Sequence, residues 1–119
     1  KLFLLAAMFM AAHSFAQKYK GDSWAKVKSS GAGTLTVFYY EQPGLIYEEG
    51  GQVKGMCADL LNEFANFVQT KYNKKLTINY AGKEPVFTEF LAQAQNTKDV
   101  LGVTNVTITD ERKKLMKFT

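Results

Sequence analysis

The chain has 119 residues, 46% hydrophobic and 13% aromatic, which suffices for one domain with a real core and excludes general disorder. Its formal charge of +4 comes from lysines scattered among acids in runs no longer than two, a pattern that argues against a nucleic-acid surface. The lone cysteine, Cys57, excludes an intrachain disulfide, and the lone histidine, His13, falls in a segment expected to be removed.

That segment comes first. Lys1 precedes an eleven-residue apolar run at positions 2–12, and Ser14-Phe15-Ala16 places small residues where a signal peptidase inspects the chain. The run is too short to span a bilayer. Residues 1–16 are therefore expected to be a cleavable secretory signal peptide, with the mature chain starting at Gln17. Residues 17–33 read as a lead-in helix and linker. Asp22-Ser23 caps a short helix at 24–29, and the small residues at 29–33 break it. Those glycines are not a phosphate loop, because no Gly-Lys-Ser/Thr follows and they precede a strand.

From residue 35 to 40, Leu35, Val37 and Tyr39 alternate with Thr36, Phe38 and Tyr40, which predicts a strand buried on both faces. Glu41-Gln42-Pro43-Gly44 turns the chain, and residues 45–53 read as a hairpin around Gly50-Gly51. Between 56 and 72, Leu60, Leu61, Phe64, Ala65, Phe67 and Val68 recur at helical spacing and predict the best-defined amphipathic helix of the chain. Residues 76–80 alternate as a second strand. A helix at about 86–95 is expected to bury Phe87, Phe90, Leu91 and Ala94, and Val100-Leu101-Gly102-Val103 has the apolar character of a central parallel strand. Thr109 is an N-cap candidate, with Asp110 and Glu111 in the first turn, where the helix dipole favours acids.

Strand and helix thus alternate, which implies an α/β layered domain with a parallel sheet and a ligand at the carboxyl ends of its strands. Tyr39, Tyr40 and Glu41 follow the first strand, Phe87 the second, and Thr104, Asn105, Thr107 and Arg112 the third, so all are expected at one edge. Arg112 is the only arginine; its planar fork suits two-pronged binding of a carboxylate, with hydroxyls and aromatic walls around it. Catalysis is harder to assemble. The mature chain lacks histidine, Cys57 has no base beside it, and clustered metal ligands are missing, so neither cofactor nor metal is expected.

Three motifs carry a resemblance. They are Glu41-Gln42-Pro43 after the opening strand, Gly55-Met56-Cys57-Ala58-Asp59-Leu60-Leu61 at the start of the long helix, and Thr107-Ile108-Thr109-Asp110-Glu111-Arg112-Lys113-Lys114 with Phe118-Thr119. In that order and spacing, residues 34–119 resemble the bacterial extracellular solute-binding proteins of family 3, the polar amino-acid receptors of ABC importers. The resemblance implies that 34–119 is lobe one of a two-lobe periplasmic binding protein of type II, incomplete, with lobe two beyond Thr119. It implies a periplasmic receptor that binds a small polar solute without altering it, works with an ABC permease of the inner membrane, and is monomeric when complete. Arg112 would grip the ligand's α-carboxylate, Thr107 would add its hydroxyl and N–H, and Phe87 and Tyr40 or Tyr39 would be aromatic walls. Asn105 stands where the family usually has glycine; Glu41 would face either the ligand's amine or solvent; Cys57 replaces an acid and reads as a helix-start residue. The alternative is that the same lobe serves an enzyme or sensor, such as a dehydratase, a transglycosylase or a kinase module.

Overall fold

In the computed structural model, residues 17–119 are described, and the expected signal peptide lies outside the described residues. Helix α1 (Trp24–Ser30) starts at Ser23, whose side chain accepts the Lys26 N–H, and ends at Gly31, whose φ of 85° lies in the left-handed region that glycine adopts without strain. Strand β1 (Ala32–Tyr39) follows, then the hairpin strands β2 (Tyr47–Glu49) and β3 (Gln52–Lys54), helix α2 (Met56–Tyr72) and strand β4 (Lys75–Lys83). Helix α3 (Phe87–Asn96), strand β5 (Val100–Val103) and helix α4 (Asp110–Leu115) complete the order.

The main sheet has the order β4-β1-β5, with β1 parallel to both neighbours, so the alternating pattern does produce a parallel α/β sheet with flanking helices. The antiparallel β2–β3 hairpin stands apart from it. β1 starts earlier than its alternation marks: Ala32 and Gly33, expected as linker, pair with Lys75 and Leu76. Gly33 has a packing reason, since a Cβ there would lie 2.5 Å from Val27 Cγ2 of α1. Gly33 and Phe38 have opposite parity along the strand and so face opposite sides. α1 therefore covers one face through Val27, and α3 covers the other through Phe90, whose ring centroid is 5.2 Å from that of Phe38.

The residues ahead of α1 belong to the α3 side of the core. Tyr19 is buried and stacks on Phe38 at 5.0 Å, with the ring planes 7° apart. Thr36 donates its hydroxyl to the Lys20 carbonyl at 2.8 Å, and Gln17 reaches the Lys98 carbonyl at 2.8 Å. β1 is closed to solvent from Thr36 to Tyr39, in line with a strand buried on both faces.

The long helix differs from expectation in its outward face. Ala58, Leu61 and Val68 are buried, but Leu60, Phe64 and Phe67 are exposed. Consecutive helical residues diverge by about 100°, and the apolar positions of α2 span a wider arc than the sheet covers. Exposed Trp24 and Tyr72 extend the same apolar surface, their rings 5.4 Å apart edge to face. In α3 Phe90 is buried, while Phe87, Leu91 and Ala94 pack against the core partly covered.

Candidate functional site

The turn between β5 and α4 positions the arginine. Thr109 caps α4 by accepting the Arg112 N–H at 3.2 Å, and Asp110 and Glu111 occupy the first turn. The cap directs Arg112 back across the loop, where Nη1 donates to the Thr107 carbonyl at 2.9 Å. Its guanidinium lies over the Phe87 ring, 6.0 Å from the centroid, within the range of a cation–π contact. Phe87 meets Tyr40 edge to face at 5.6 Å, and behind it lies Phe90 at 6.3 Å. Tyr40 is held at the sheet edge by its N–H, which donates to the Val103 carbonyl at 3.2 Å.

Arg112, Thr107, Phe87 and Tyr40 thus come together at the carboxyl edge of the sheet. Among the described residues Arg112 makes no ion pair. A guanidinium has five N–H donors, and the Thr107 carbonyl engages only one arm. The half-buried group is oriented, charged and backed by an aromatic face, an arrangement able to take a carboxylate in two-pronged fashion.

The other expected site residues are placed differently. Tyr39 is buried on the opposite face of the sheet, next to Tyr80, and its hydroxyl points to Glu48 Oε2 at 3.5 Å. Adjacent strand residues face opposite ways, so Tyr39 and Tyr40 cannot line one surface. Glu41 accepts the Glu48 N–H at 3.0 Å and pairs with Lys83 at 3.3 Å, which ties the turn to the hairpin and to the end of β4. The Glu48 N–H and then Lys83 hold its carboxyl below the usual value. The Thr104 hydroxyl is buried with no hydrogen-bond partner among the described residues. Thr104 lines a cavity of about 260 Å³ with Phe38, Phe90, Val106 and Phe118, and none of Arg112, Thr107, Phe87 and Tyr40 lines it. Asn105 is exposed in the loop.

One polar residue near this edge carries no local sequence signal. Glu84, just past β4, is 1% exposed, and its Oε1 accepts from Lys18 Nζ at 2.6 Å and from the Tyr19 hydroxyl. Burial pushes its carboxyl up, but the Lys18 and Tyr19 hydrogen bonds outweigh it, and the net shift is downward. Its N–H donates to the Tyr39 carbonyl at 2.7 Å. Only the folded chain shows the role of Glu84, because its partners lie far away in sequence.

Comparisons with protein-family models, curated proteins and solved structures find no match to this chain.

Proposed function

We propose that the carboxyl edge of this sheet is half of a solute-binding cleft, with Arg112 as the clamp for the carboxylate of a small polar solute such as an amino acid. The observation that carries this reading is the Arg112 guanidinium, set over Phe87 and braced on the Thr107 carbonyl, with no carboxylate of its own among the described residues. A surface arginine without such a role has no need of an aromatic bed and a carbonyl brace at the ligand edge of a parallel sheet. The groups around it are aromatic faces, a hydroxyl and backbone atoms. They suit binding without chemical change better than acid–base work.

Together with the motif around Arg112, this supports lobe one of a periplasmic receptor for an ABC importer, in which a second lobe would supply the acid for the ligand's ammonium and a membrane permease would receive the solute. NMR titration, following the Arg112 side-chain Nε–H signal, tests the clamp. Polar amino acids are expected to shift it saturably, and the matching decarboxylated amines are expected to leave it in place. An equal response to both would overturn the assignment.

A further inference from the structure

The sheet leaves the outward face of α2 uncovered, and that face is continuous with α1. Met56, Leu60, Phe64 and Phe67 follow one another at intervals of four, four and three residues, so they form one stripe along the helix. The Phe64 and Phe67 ring centroids are 6.5 Å apart, Phe67 meets Tyr72 at 6.1 Å, and Tyr72 meets Trp24 of α1 at 5.4 Å. Each of these six side chains is between 42% and 67% exposed. Among the described residues they are six of the nine exposed large hydrophobics, so the exposure is gathered into one surface instead of being scattered singly. Aromatic side chains of about 150–250 Å² each, nearly half exposed, give the four rings roughly 300–450 Å² of open surface. Leu60 and Met56, more exposed still, extend it towards the ~800 Å² per partner of a standard interface.

The charges on the rim identify the partner. Asp59 and Glu63 lie in the N-terminal half of α2, Lys71 lies in its last turn and Lys74 just beyond it. None of the four makes an ion pair among the described residues. Lys71 sits over the stripe itself, its Nζ 5.2 Å from the Phe67 centroid and 5.6 Å from that of Tyr72. Glu63 and Lys71 stand four residues before and after Phe67 on the same face, each about 6 Å from it along the helix axis. A helix marked in this way complements itself when turned end for end. With Phe67 on a two-fold axis, Glu63 of each copy meets Lys71 of the other, whereas a parallel pair sets like against like. A uniformly anionic or cationic surface would match only one half of the stripe.

We infer that this surface is a dimer interface, in which α2 packs antiparallel against α2 of a second copy about a two-fold axis at Phe67. The stripe supplies the apolar centre, the two Glu63–Lys71 pairs fix the direction, and Leu60 and Met56 of one copy lie towards the Tyr72 and Trp24 end of the other. α2 lies beside α1, away from α3, so the pair leaves the Arg112 edge open. It departs from the monomer that the resemblance implies. An area at the low end of the standard range suits a reversible pair, with a dissociation constant on the order of 10–100 µM.

Sedimentation velocity of the full chain, from about 1 µM to about 1 mM, tests the pair, and a reversible monomer–dimer equilibrium is expected. Glu63→Lys and Lys71→Glu each bring like charges together on both sides of the axis. Either alone should weaken the dimer roughly tenfold or more, and an equal mixture of the two should restore it as a heterodimer. Phe67→Glu should leave only monomer, with the far-ultraviolet circular dichroism of the wild type. A chain that stays monomeric to the top of the concentration range leaves the stripe to a different partner and overturns the dimer. A mixture no more associated than its components also overturns it, as does association that persists in Phe67→Glu, which places the contact elsewhere. The amino-acid titration at Arg112 reads the other side of the sheet, so the clamp and the dimer stand or fall separately.

Discussion

The carboxylate of Glu84 accepts the hydroxyl hydrogen of Tyr19 at 2.5 Å, across sixty-five residues of sequence. Tyr19 stacks on Phe38, Phe38 packs on Phe90, Phe90 lies beside Phe87, and Phe87 carries Arg112. The N-terminal segment is thus part of the same aromatic core that holds the candidate site.

Removing the carboxylate tests that link. Glu84→Ala leaves the buried Tyr19 hydroxyl without its acceptor, whereas Lys18, half exposed, returns to water. A loss of about 2–3 kcal/mol in urea unfolding is expected. Tyr19→Phe should cost less than Glu84→Ala, because Glu84 keeps Lys18. Equal stability of wild type and Glu84→Ala would show that the bond contributes nothing.

The same group predicts an acid response. The folded pKa of Glu84 lies below its ordinary 4.5, so in the window beneath that value the unfolded chain binds more protons than the folded one. Its contribution is fully present above pH 4.5 and is lost as pH falls through the depressed folded value. Glu84→Gln should flatten the acid limb of a stability-versus-pH curve without changing its slope near neutrality. An identical acid limb in wild type and variant would refute this.

Adjacent leucines on α2 should behave oppositely. Leu61 is 7% exposed and Leu60 is 67% exposed. Leu61→Ala is expected to cost about 2–4 kcal/mol, and Leu60→Ala to stay within about 0.5 kcal/mol of wild type. Comparable losses at both positions in denaturant titrations would mean that another surface covers the outer face of α2.

Gly55 joins the hairpin to α2 with φ at 111°, and a Cβ there would lie 2.5 Å from the Leu45 carbonyl oxygen. Gly55→Ala combines backbone strain with a clash against main chain that cannot rotate away. A loss of about 2 kcal/mol or more in thermal or chemical unfolding is expected. Wild-type stability in this variant would contradict the geometry of the join.

Arg112→Lys tests the fork as distinct from the charge. The ammonium keeps the positive sign but loses the planar pair of donors, so binding of a carboxylate solute should weaken by roughly 1–2 kcal/mol. Arg112→Ala should weaken it by roughly 1.5–3 kcal/mol. Calorimetry giving the same affinity for all three chains would remove Arg112 from the site.

The sequence by itself determined the local elements. Helical spacing marked α2, the apolar run marked β5, and Thr109 with its following acids marked the start of α4, because periodicity and capping depend on neighbours within one or two turns. The strand–helix alternation likewise led to a parallel sheet, with Arg112 placed at its carboxyl edge. Only the tertiary structure decided which way each side chain faced. Alternation shows that Tyr39 and Tyr40 point to opposite sides, but it cannot say which side receives α3 and Arg112. The packing of α3 against Phe38 and Tyr40, through Phe90 and Phe87, supplies that choice. In the same way Glu41 was captured by Lys83 and the hairpin backbone, Leu60 was left uncovered, and Glu84 found Tyr19. These outcomes rest on contacts between segments far apart in sequence, where no local pattern carries the information.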